Sequence, residues 1–433
     1  MDRCGAPGYR RALMRLGSGL AVVALWAALL GPAPAQGEAW AERFGAASDD
    51  DARIALVAAL EPGNVPGLLA ELSAALGNRK FGRPVRSAIA RRIGRDGGDR
   101  AFGVLVQEIR AGTAAEVRVA ALEALPDTGD ARVLATVLGT LEDPNLRVVA
   151  ASVAAGLGDQ KAVPALRERL ERFAARPGLV GPFGEALARL DPEQAAALLL
   201  PLYEAGAADT EPEVLRALGA CRRVPGLRAR LRSDFDGADR ELRRRALGAL
   251  VACGGLDVVS FLLGRLETRT EDRLDVIRAL GDLGHEFAVD PLCRQVRVGS
   301  DAVRQASVEA LARIEHETAR QALVQIATAS EDPLAVATAL LAAGRCRASG
   351  AHQAIVARLF DERAVLWPGG EGAPPRVCDA AYRAGQSLLG ESGDEPMQQV
   401  RRSLRDALRA RLEAPVEAVP PPARIKAGTS RSP

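Results

Sequence analysis

One spacing of apolar and polar residues recurs along most of this chain. Each copy opens with an arginine. The three clear copies begin at Arg118, Arg147 and Arg304, and three looser copies begin at Arg86, Arg243 and Arg273. Seven residues after the three clear arginines stand Leu125, Ala154 and Leu311, with alanines at positions between. This spacing places apolar side chains on one face of an α-helix, so each copy predicts an amphipathic helix.

The residues that follow each helical copy predict a turn and a returning helix. Gly129, Gly158 and Gly284 come just after the last apolar position, where helices commonly end in a left-handed residue. Asp130 and Asp159 come next and are placed to cap the following helix. The second helix, as in AVPALRERL or ARQALVQIA, is again amphipathic.

Prolines mark the beginning of several returning helices. Pro164 and Pro291 stand near such a beginning, where the missing N–H does least harm. In LDPEQAAALLLPL, Asp191 is the predicted cap, Pro192 the first helical residue, and Gln194 the residue that completes a capping box.

Each repeating unit is therefore a helical hairpin with a period of about 30 residues. Such a hairpin has no way to cover its own apolar stripe, whereas a stacked neighbour does cover it. The sequence predicts an all-α fold, an α-solenoid of about ten to eleven hairpins. Aromatic residues make up only 3% of the 433 residues, so the core must be built from Ala, Leu and Val.

The N-terminal residues have the pattern of an export signal. MDRCGAPGYRRALMR is basic, and LGSGLAVVALWAALL is apolar but short for a transmembrane helix. We expect residues 1–35 to be a signal peptide cleaved after Ala35, with a second cleavage option at Ala41. An uncleaved anchor is the alternative, and Arg10-Arg11 loosely matches a twin-arginine export signal.

The cysteines do not form a disulfide framework. Removal of Cys4 with the leader leaves five, an odd number that excludes complete intramolecular pairing. Cys221, Cys253 and Cys346 occupy equivalent repeat positions near a helix end, where we interpret them as small buried apolar residues.

The repeats resemble a known family. DPNLRVVAASVAAGLGDQKAVPAL, with echoes in EVRVAALEAL, AVRQASVEALARI and RLDVIRALGDLGHEFAVDPL, resembles HEAT repeats in the short form of phycobilin lyases. The resemblance covers residues 49–412. It implies a ladder in which turn aspartates such as Asp130 and Asp159 pair with opening arginines such as Arg147. We assign those charges to architecture, because fold motifs need not carry function.

Two His-Glu pairs are the sharpest candidates for chemistry. His285-Glu286 and His316-Glu317 stand at the same offset in consecutive repeats. Imidazole and carboxylate are competent ligands for zinc or iron. Deoxyhypusine hydroxylase, a HEAT-like enzyme expected to hold two irons, resembles this chain only in such pairs. Adjacent turns are expected about 10 Å apart, so we interpret these residues as turn caps and predict neither a metal nor another cofactor.

The most basic segment does not predict a nucleic-acid site. Residues 222–245 are dense in arginine, but four acidic residues interrupt them: Asp234, Asp236, Asp239 and Glu241. The segment lacks Tyr and Trp for base stacking, and the whole chain carries a net charge of only +2. No nucleophile, phosphate-loop or dinucleotide motif stands out, so no catalytic residue is predicted.

Three segments depart from the repeat pattern: residues 178–235, residues 361–376 and the tail over 413–433. Residues 178–235 lack the opening arginine, and residues 361–376 form a long Gly- and Pro-rich connection that carries Trp367. That connection is either a partner-binding loop or a slack connector to a capping hairpin. The predicted organisation is a signal peptide over 1–35, a short leader over 36–48, the solenoid over 49–412 and a disordered Pro-rich tail over 413–433.

These observations predict an exported scaffold or adaptor, periplasmic or secreted, that binds another protein through its solenoid surface without catalysis. The alternative is a metal-dependent or bilin-lyase-like HEAT-repeat enzyme. A partner protein is expected, and nucleic acid is not. The partner, the binding face and the oligomeric state are left open.

Overall fold

The structure is a computed structural model that describes residues 38–206, 208, 211–367, 376–390 and 402–413. Helices dominate these residues, and the only β-type pairing in them is an isolated bridge between Ala364 and Arg376. The chain divides into two units, unit 1 up to Val224 and unit 2 from Pro225 onward. The predicted all-α class is confirmed. The predicted signal peptide and all but the first residue of the predicted tail lie outside the described residues.

Unit 1 contains twelve described α-helices. They are α1 (Glu38–Ala46), α2 (Asp50–Ala58), α3 (Leu69–Gly77), α4 (Arg83–Asp96), α5 (Ala101–Ala111), α6 (Ala115–Ala124), α7 (Val133–Gly139), α8 (Arg147–Gly156), α9 (Val163–Phe173), α10 (Val180–Leu190), α11 (Pro192–Ala205) and α12 (Glu211–Ala220). Short 3₁₀ turns join some of them, at Pro62–Asn64, Pro66–Leu68, Gly98–Arg100, Leu125–Thr128 and Gln160–Ala162.

Unit 2 contains eleven described α-helices and one 3₁₀ turn, Glu286–Ala288. The helices are α13 (Leu227–Asp236), α14 (Arg240–Cys253), α15 (Leu256–Thr268), α16 (Arg273–Leu283), α17 (Val289–Val298), α18 (Asp301–Arg313), α19 (Glu317–Ala329), α20 (Pro333–Arg345), α21 (Ala351–Arg358), α22 (Val377–Leu389) and α23 (Arg402–Glu413).

Within each unit, consecutive helices group along the chain into five helix–turn–helix repeats, which we call hairpins, and this order matches the predicted solenoid architecture. The hairpins are α2/α3, α4/α5, α6/α7, α8/α9 and α10/α11 in unit 1, and α14/α15, α16/α17, α18/α19, α20/α21 and α22/α23 in unit 2. The first helix of each hairpin contacts the first helix of the next, as α16, α18, α20 and α22 do in order. We call these first helices the A layer and the returning helices the B layer. Leu280 and Leu311 are fully buried in the A layer, and each contributes about 1.5–3 kcal/mol only because the next hairpin covers it.

Small residues let the A-layer helices approach closely. A Cβ added to Gly281 of α16 would lie 2.7 Å from Ala310 Cα of α18. A Cβ on Gly94 of α4 would lie 2.4 Å from the backbone oxygen of Ala124. Glycine is required at both places because the backbone of the next helix occupies the space of a side chain.

The local turn chemistry follows the prediction. Gly129, Gly158 and Gly284 have φ angles of 67°, 71° and 67°. The Asp191 side chain accepts the Gln194 N–H at 2.9 Å, and the Gln194 amide donates to the second carboxylate oxygen at 2.7 Å. The predicted Asp191 cap of α11 is thus confirmed, whereas the second half of the predicted capping box is wrong, because the Asp191 N–H donates to the Leu187 carbonyl.

The segment given as a short leader, residues 36–48, carries a helix of its own. Trp40 and Phe44 of α1 are buried, and their ring centroids lie 4.7 Å apart. Phe81, in the turn before α4, lies edge-on to Phe44 at 5.0 Å. These few aromatic side chains cover the exposed end of the first hairpins.

The cysteines lie where the repeat pattern places them. Cys221 follows α12, Cys253 is the last residue of α14, and both are buried. Cys346 caps α20 and is only half-buried, with Sγ 2.8 Å from the Ala342 oxygen. The interpretation as small core residues holds for the first two, while Cys346 borders a surface groove.

Candidate functional site

The opening arginines connect neighbouring repeats. Arg304 Nε donates to the Gly299 carbonyl at 2.8 Å, just past the end of α17, and its Nη1 lies 3.0 Å from Asp332 Oδ2 in the next hairpin. Arg118 likewise donates to the carbonyl of Ile109 and to the carboxylate of Asp143. Each guanidinium therefore satisfies a helix-end carbonyl and pairs with the acid that precedes the next A-layer helix.

Two further opening arginines make buried ion pairs, Arg243 with the acid before the next A-layer helix and Arg86 with Glu108 of the returning helix α5 in its own hairpin. Arg243 Nε lies 3.1 Å from Asp272 Oδ2, and Arg86 Nη2 lies 3.2 Å from Glu108 Oε1. Burial raises the pKa of Glu108, although the positive charges of Arg86 and Arg118 act in the opposite direction. Loss of one partner at such a site leaves a buried charge without compensation, so these residues are structural.

The predicted acidic partners of the ladder are wrong. Asp130 pairs with Arg132 in its own turn, and the hydrogen bond from that side chain is the main reason that its pKa falls to about 2. Asp159 accepts the N–H of Lys161, while Arg147 donates to backbone carbonyls before α8. The turn aspartates follow an A-layer helix whereas the arginines open it, and a helix of ten residues separates them by about 15 Å.

In the degenerate repeats of residues 178–235, which lack the opening arginine, a carboxylate connects neighbouring repeats. Glu213 of α12 accepts the N–H groups of Gly178 and Gly181, at 2.5 and 3.0 Å. A carboxylate from the next repeat thus satisfies orphan donors at the beginning of α10, where the positive end of the helix dipole favours it.

One side chain from each His-Glu turn meets the other across the gap between the turns. His316 Nε2 lies 3.1 Å from Glu286 Oε2, because the two side chains span the gap between adjacent turns. Each histidine also caps its own turn: Nδ1 of His285 accepts the Phe287 N–H, and Nδ1 of His316 accepts the Thr318 N–H. The expected capping role agrees with this geometry.

The interaction between His316 and Glu286 is weak. The side chains are 44% and 46% exposed, so solvent screens their interaction. Among the residues that the structure describes, no three His, Cys, Asp or Glu side chains converge as metal ligands. Phe287, on the same turn, is 58% exposed and lies 4.9 Å from the His285 ring. The sequence pattern did not single out Phe287, because only the exposed fraction of its side chain in the structure distinguishes it from a core residue.

Several arginines of the basic segment that lie in unit 2 pair with acids of that unit. Arg228 and Arg232 lie 2.9 and 2.7 Å from the carboxylate of Asp257 on α15. Arg243 belongs to the ladder. This distribution fits the predicted solvated charged face rather than a stripe of phosphate-binding side chains.

The long connection after α21 is tied down at both of its described ends. The Arg363 side chain pairs with Asp361 and donates to the Glu331 carbonyl of the previous connection. Arg376 makes two parallel hydrogen bonds to the buried carboxylate of Asp379, at 2.9 and 3.0 Å. Trp367 is half-buried at the last described position before residues 368–375.

Solvent-open grooves separate neighbouring A-layer helices. In unit 1 a groove of about 370 Å³ lies between α8 and α10, with Val148, Ser152 and Pro182 among its lining residues. In unit 2 a groove of about 440 Å³ lies between α18 and α20, and its lining residues are Glu309, Ala312, Arg313, Ala342, Arg345 and Cys346. We call the second one the arginine groove. A further cavity of about 380 Å³ lies between α17 and α19, next to Cys293.

Comparison with known proteins agrees with this architecture. Residues 224–312 and 268–344 match the family model of HEAT repeats. The chain contains HEAT repeats. Within the described residues, no helix of these repeats has the length and apolar character needed to cross a membrane.

The relatives of these HEAT repeats say little about activity. A solved structure of human deoxyhypusine hydroxylase in complex with glycerol is 21% identical, and the match covers 64% of this chain and 95% of that chain. Its TM-score is 0.25, so it carries no argument about chemistry. No curated protein matches the chain. The function must therefore be argued from the surface of the repeats.

Proposed function

We propose that this HEAT-repeat chain is a non-catalytic scaffold that binds another protein through the A-layer surface of its hairpins. The observation that carries the proposal is the pair of solvent-open grooves between A-layer helices, at α8/α10 and at α18/α20. The ladder arginines are engaged in stacking, so other residues line these grooves and are available to a partner.

The arrangement suits recognition of a macromolecule. A stable protein interface buries about 800 Å² on each partner, which is more than one groove supplies. Stacked A-layer helices repeat the groove geometry along each unit and extend the contact area. Exposed side chains beside the grooves, such as Val148 at 37% exposure, are the expected anchors.

We further propose that the chain is exported to the periplasm or the medium. The basic start and the apolar run of residues 16–30 support this location. Fusion of residues 1–48 to an alkaline phosphatase reporter that is active only outside the cytoplasm tests the assignment. Reporter activity equal to that of a fusion without residues 1–35 would contradict export.

Cross-linking in the native cell envelope tests the scaffold proposal. Cross-links are expected between one partner protein and peptides from α8, α10, α18 or α20, and they should disappear when the chain is unfolded before cross-linking. Purification with a chromophore or another small molecule alone, and with no protein, would refute the proposal.

One observation favours a second candidate, a metal-dependent enzyme. The contact between His316 and Glu286 brings two competent ligand types together across neighbouring turns. Elemental analysis of purified protein separates the two candidates. Stoichiometric iron or zinc that is lost in a His285→Ala/His316→Ala variant would replace the scaffold proposal with the enzyme.

A further inference from the structure

The hairpin α20/α21 has an unusual charge distribution. From residue 333 to residue 360 the sequence contains no Asp or Glu, while it contains Arg345, Arg347 and Arg358. Arg358 is engaged, since its Nε donates to the Ala327 carbonyl and its Nη1 lies 3.2 Å from the Asp361 carboxylate. In the part of the chain that the structure describes, Arg345 and Arg347 are exposed and make no ion pair.

Arg345 stands at the arginine groove. Ala312, which is half-buried, and Ala342, which is buried, line the groove between α18 and α20, and Arg313 and Arg345 end these two helices. Arg313 already lies 3.1 Å from Asp282, and the groove's one carboxylate, Glu309, accepts a hydrogen bond from Gln305. Arg345 is thus the lining arginine that makes no ion pair within the described residues, and the six lining residues carry a net charge of +1, two arginines against Glu309.

The next arginine is held in an uncommon backbone conformation. Arg347 has a φ of 47° and is the only non-glycine residue with positive φ among the described residues. Equivalent positions after other A-layer helices carry glycine, as at Gly158 and Gly284. A left-handed conformation costs an L-residue about 1–2 kcal/mol. Arginine at this position therefore adds a second exposed guanidinium at the expense of local stability.

We propose that the arginine groove binds an acidic segment of the partner protein, with Arg345 as its main carboxylate contact. This inference rests on the scaffold proposed above and specifies the chemistry of its partner. Arginine presents a planar fork that matches a carboxylate with two parallel hydrogen bonds. The alanines leave room for a peptide backbone, and none of the six lining residues is an aromatic on which a nucleic acid base would stack.

Binding of an oligo-glutamate peptide to the purified full chain tests this proposal directly. Fluorescence anisotropy should show salt-dependent binding of a labelled glutamate peptide and none of a lysine peptide of the same length. Arg345→Gln should weaken binding by about threefold to tenfold, and Arg345→Lys by less, because lysine keeps the charge but loses the fork. Each variant's circular dichroism spectrum and urea midpoint should match the wild type, since Arg345 is exposed.

Arg278→Gln is the matched control. Arg278 is an exposed A-layer arginine that already lies 3.3 Å from Asp275 on its own helix. Its replacement removes the same charge from the same layer, and we expect a change of less than about twofold. Equal weakening in both variants would show that net charge alone attracts the peptide, which would overturn the groove assignment.

Cys346 provides a second, position-specific measurement. Cys346 and Cys293 are both half-buried, and burial is the main cause that raises the pKa of each thiol. Cys293 lines the separate cavity between α17 and α19. The glutamate peptide should slow alkylation of Cys346 and leave Cys293 unchanged, as mass spectrometry of the labelled peptides would show. Slowing at both thiols or at neither would overturn the proposal.

Two outcomes separate this inference from the scaffold proposal itself. If an oligothymidylate protects Cys346 better than the glutamate peptide does, the class of partner is wrong. If Arg345→Gln cross-links the same envelope protein as efficiently as wild type does, the groove assignment fails and the scaffold stands. If the wild type cross-links no protein at all, the scaffold fails and the acidic partner fails with it.

Discussion

Replacement of Gly281 by alanine tests the close packing of the A layer. In a helix interior, Gly→Ala normally stabilises by about 0.5–1 kcal/mol, because alanine restricts the unfolded chain. At Gly281 the added Cβ would lie 2.7 Å from Ala310 Cα and 2.8 Å from Ala310 Cβ. Overpacking of this kind costs about 1–3 kcal/mol. The expected result is a net loss of about 1–2 kcal/mol, a reversal of the usual sign.

Gly264→Ala is the matched control for this experiment. Gly264 lies inside α15 of the same unit, and a Cβ there would have no atom within 4 Å. That variant should gain about 0.5–1 kcal/mol. Urea unfolding followed by far-ultraviolet circular dichroism measures both. Amide hydrogen exchange in α16 and α18 then localises the effect, since repeat arrays do not always unfold in one step.

Stability changes of the same sign in Gly281→Ala and Gly264→Ala would contradict this explanation. If Gly281→Ala raises the urea midpoint as much as Gly264→Ala does, α16 and α18 are not in backbone contact at this crossing. The explanation of the alanine-rich core, that small side chains allow close helix approach, would then be wrong as well.

Three further predictions follow from caps, charges and backbone. Asp191→Ala should destabilise by about 1 kcal/mol through loss of the α11 cap, seen as a lower urea midpoint, and a change below about 0.3 kcal/mol would contradict the cap. The hydrogen bonds from Arg265 are the main cause that lowers the pKa of Asp236 below its ordinary value of 3.8. Its stabilisation is therefore present above that value and lost as pH falls through the lowered pKa. Asp236→Asn should be less stable than wild type at neutral pH, and the difference in midpoint should shrink below pH 3.8; a constant difference would exclude this linkage. Arg347→Gly should raise the thermal midpoint by relieving a left-handed arginine worth about 1–2 kcal/mol, and an unchanged or lower midpoint would argue against strain there.

The features that sequence predicted are those set by a few consecutive residues. The glycines at 129, 158 and 284 adopt left-handed φ because a helix that must turn back at once needs that conformation. The cap at Asp191 depends only on residues up to Gln194. The period of the apolar face made the hairpins and their stacking predictable, because an uncovered stripe has no other way to be buried.

Pairing between repeats was decided by tertiary structure. The ladder arginines were identified, yet their acids are Asp143, Asp272 and Asp332 rather than the turn aspartates. Which carboxylate meets a guanidinium depends on how far each hairpin shifts and rotates against the next, and no local pattern encodes that offset. The contact between His316 and Glu286 has the same origin.

The helical repeat array, its turns and its small-residue core can be read from the chain, because they depend on periodicity and local backbone preference. Which charged side chains pair between repeats and which stay exposed depends instead on how the hairpins pack against one another. Arg313 and Arg345 each end an A-layer helix, but Arg313 lies 3.1 Å from Asp282 whereas Arg345 makes no ion pair within the described residues. Burial and ion pairing arise only when neighbouring hairpins pack together. The proposed binding surface consists of the side chains that remain exposed after that packing.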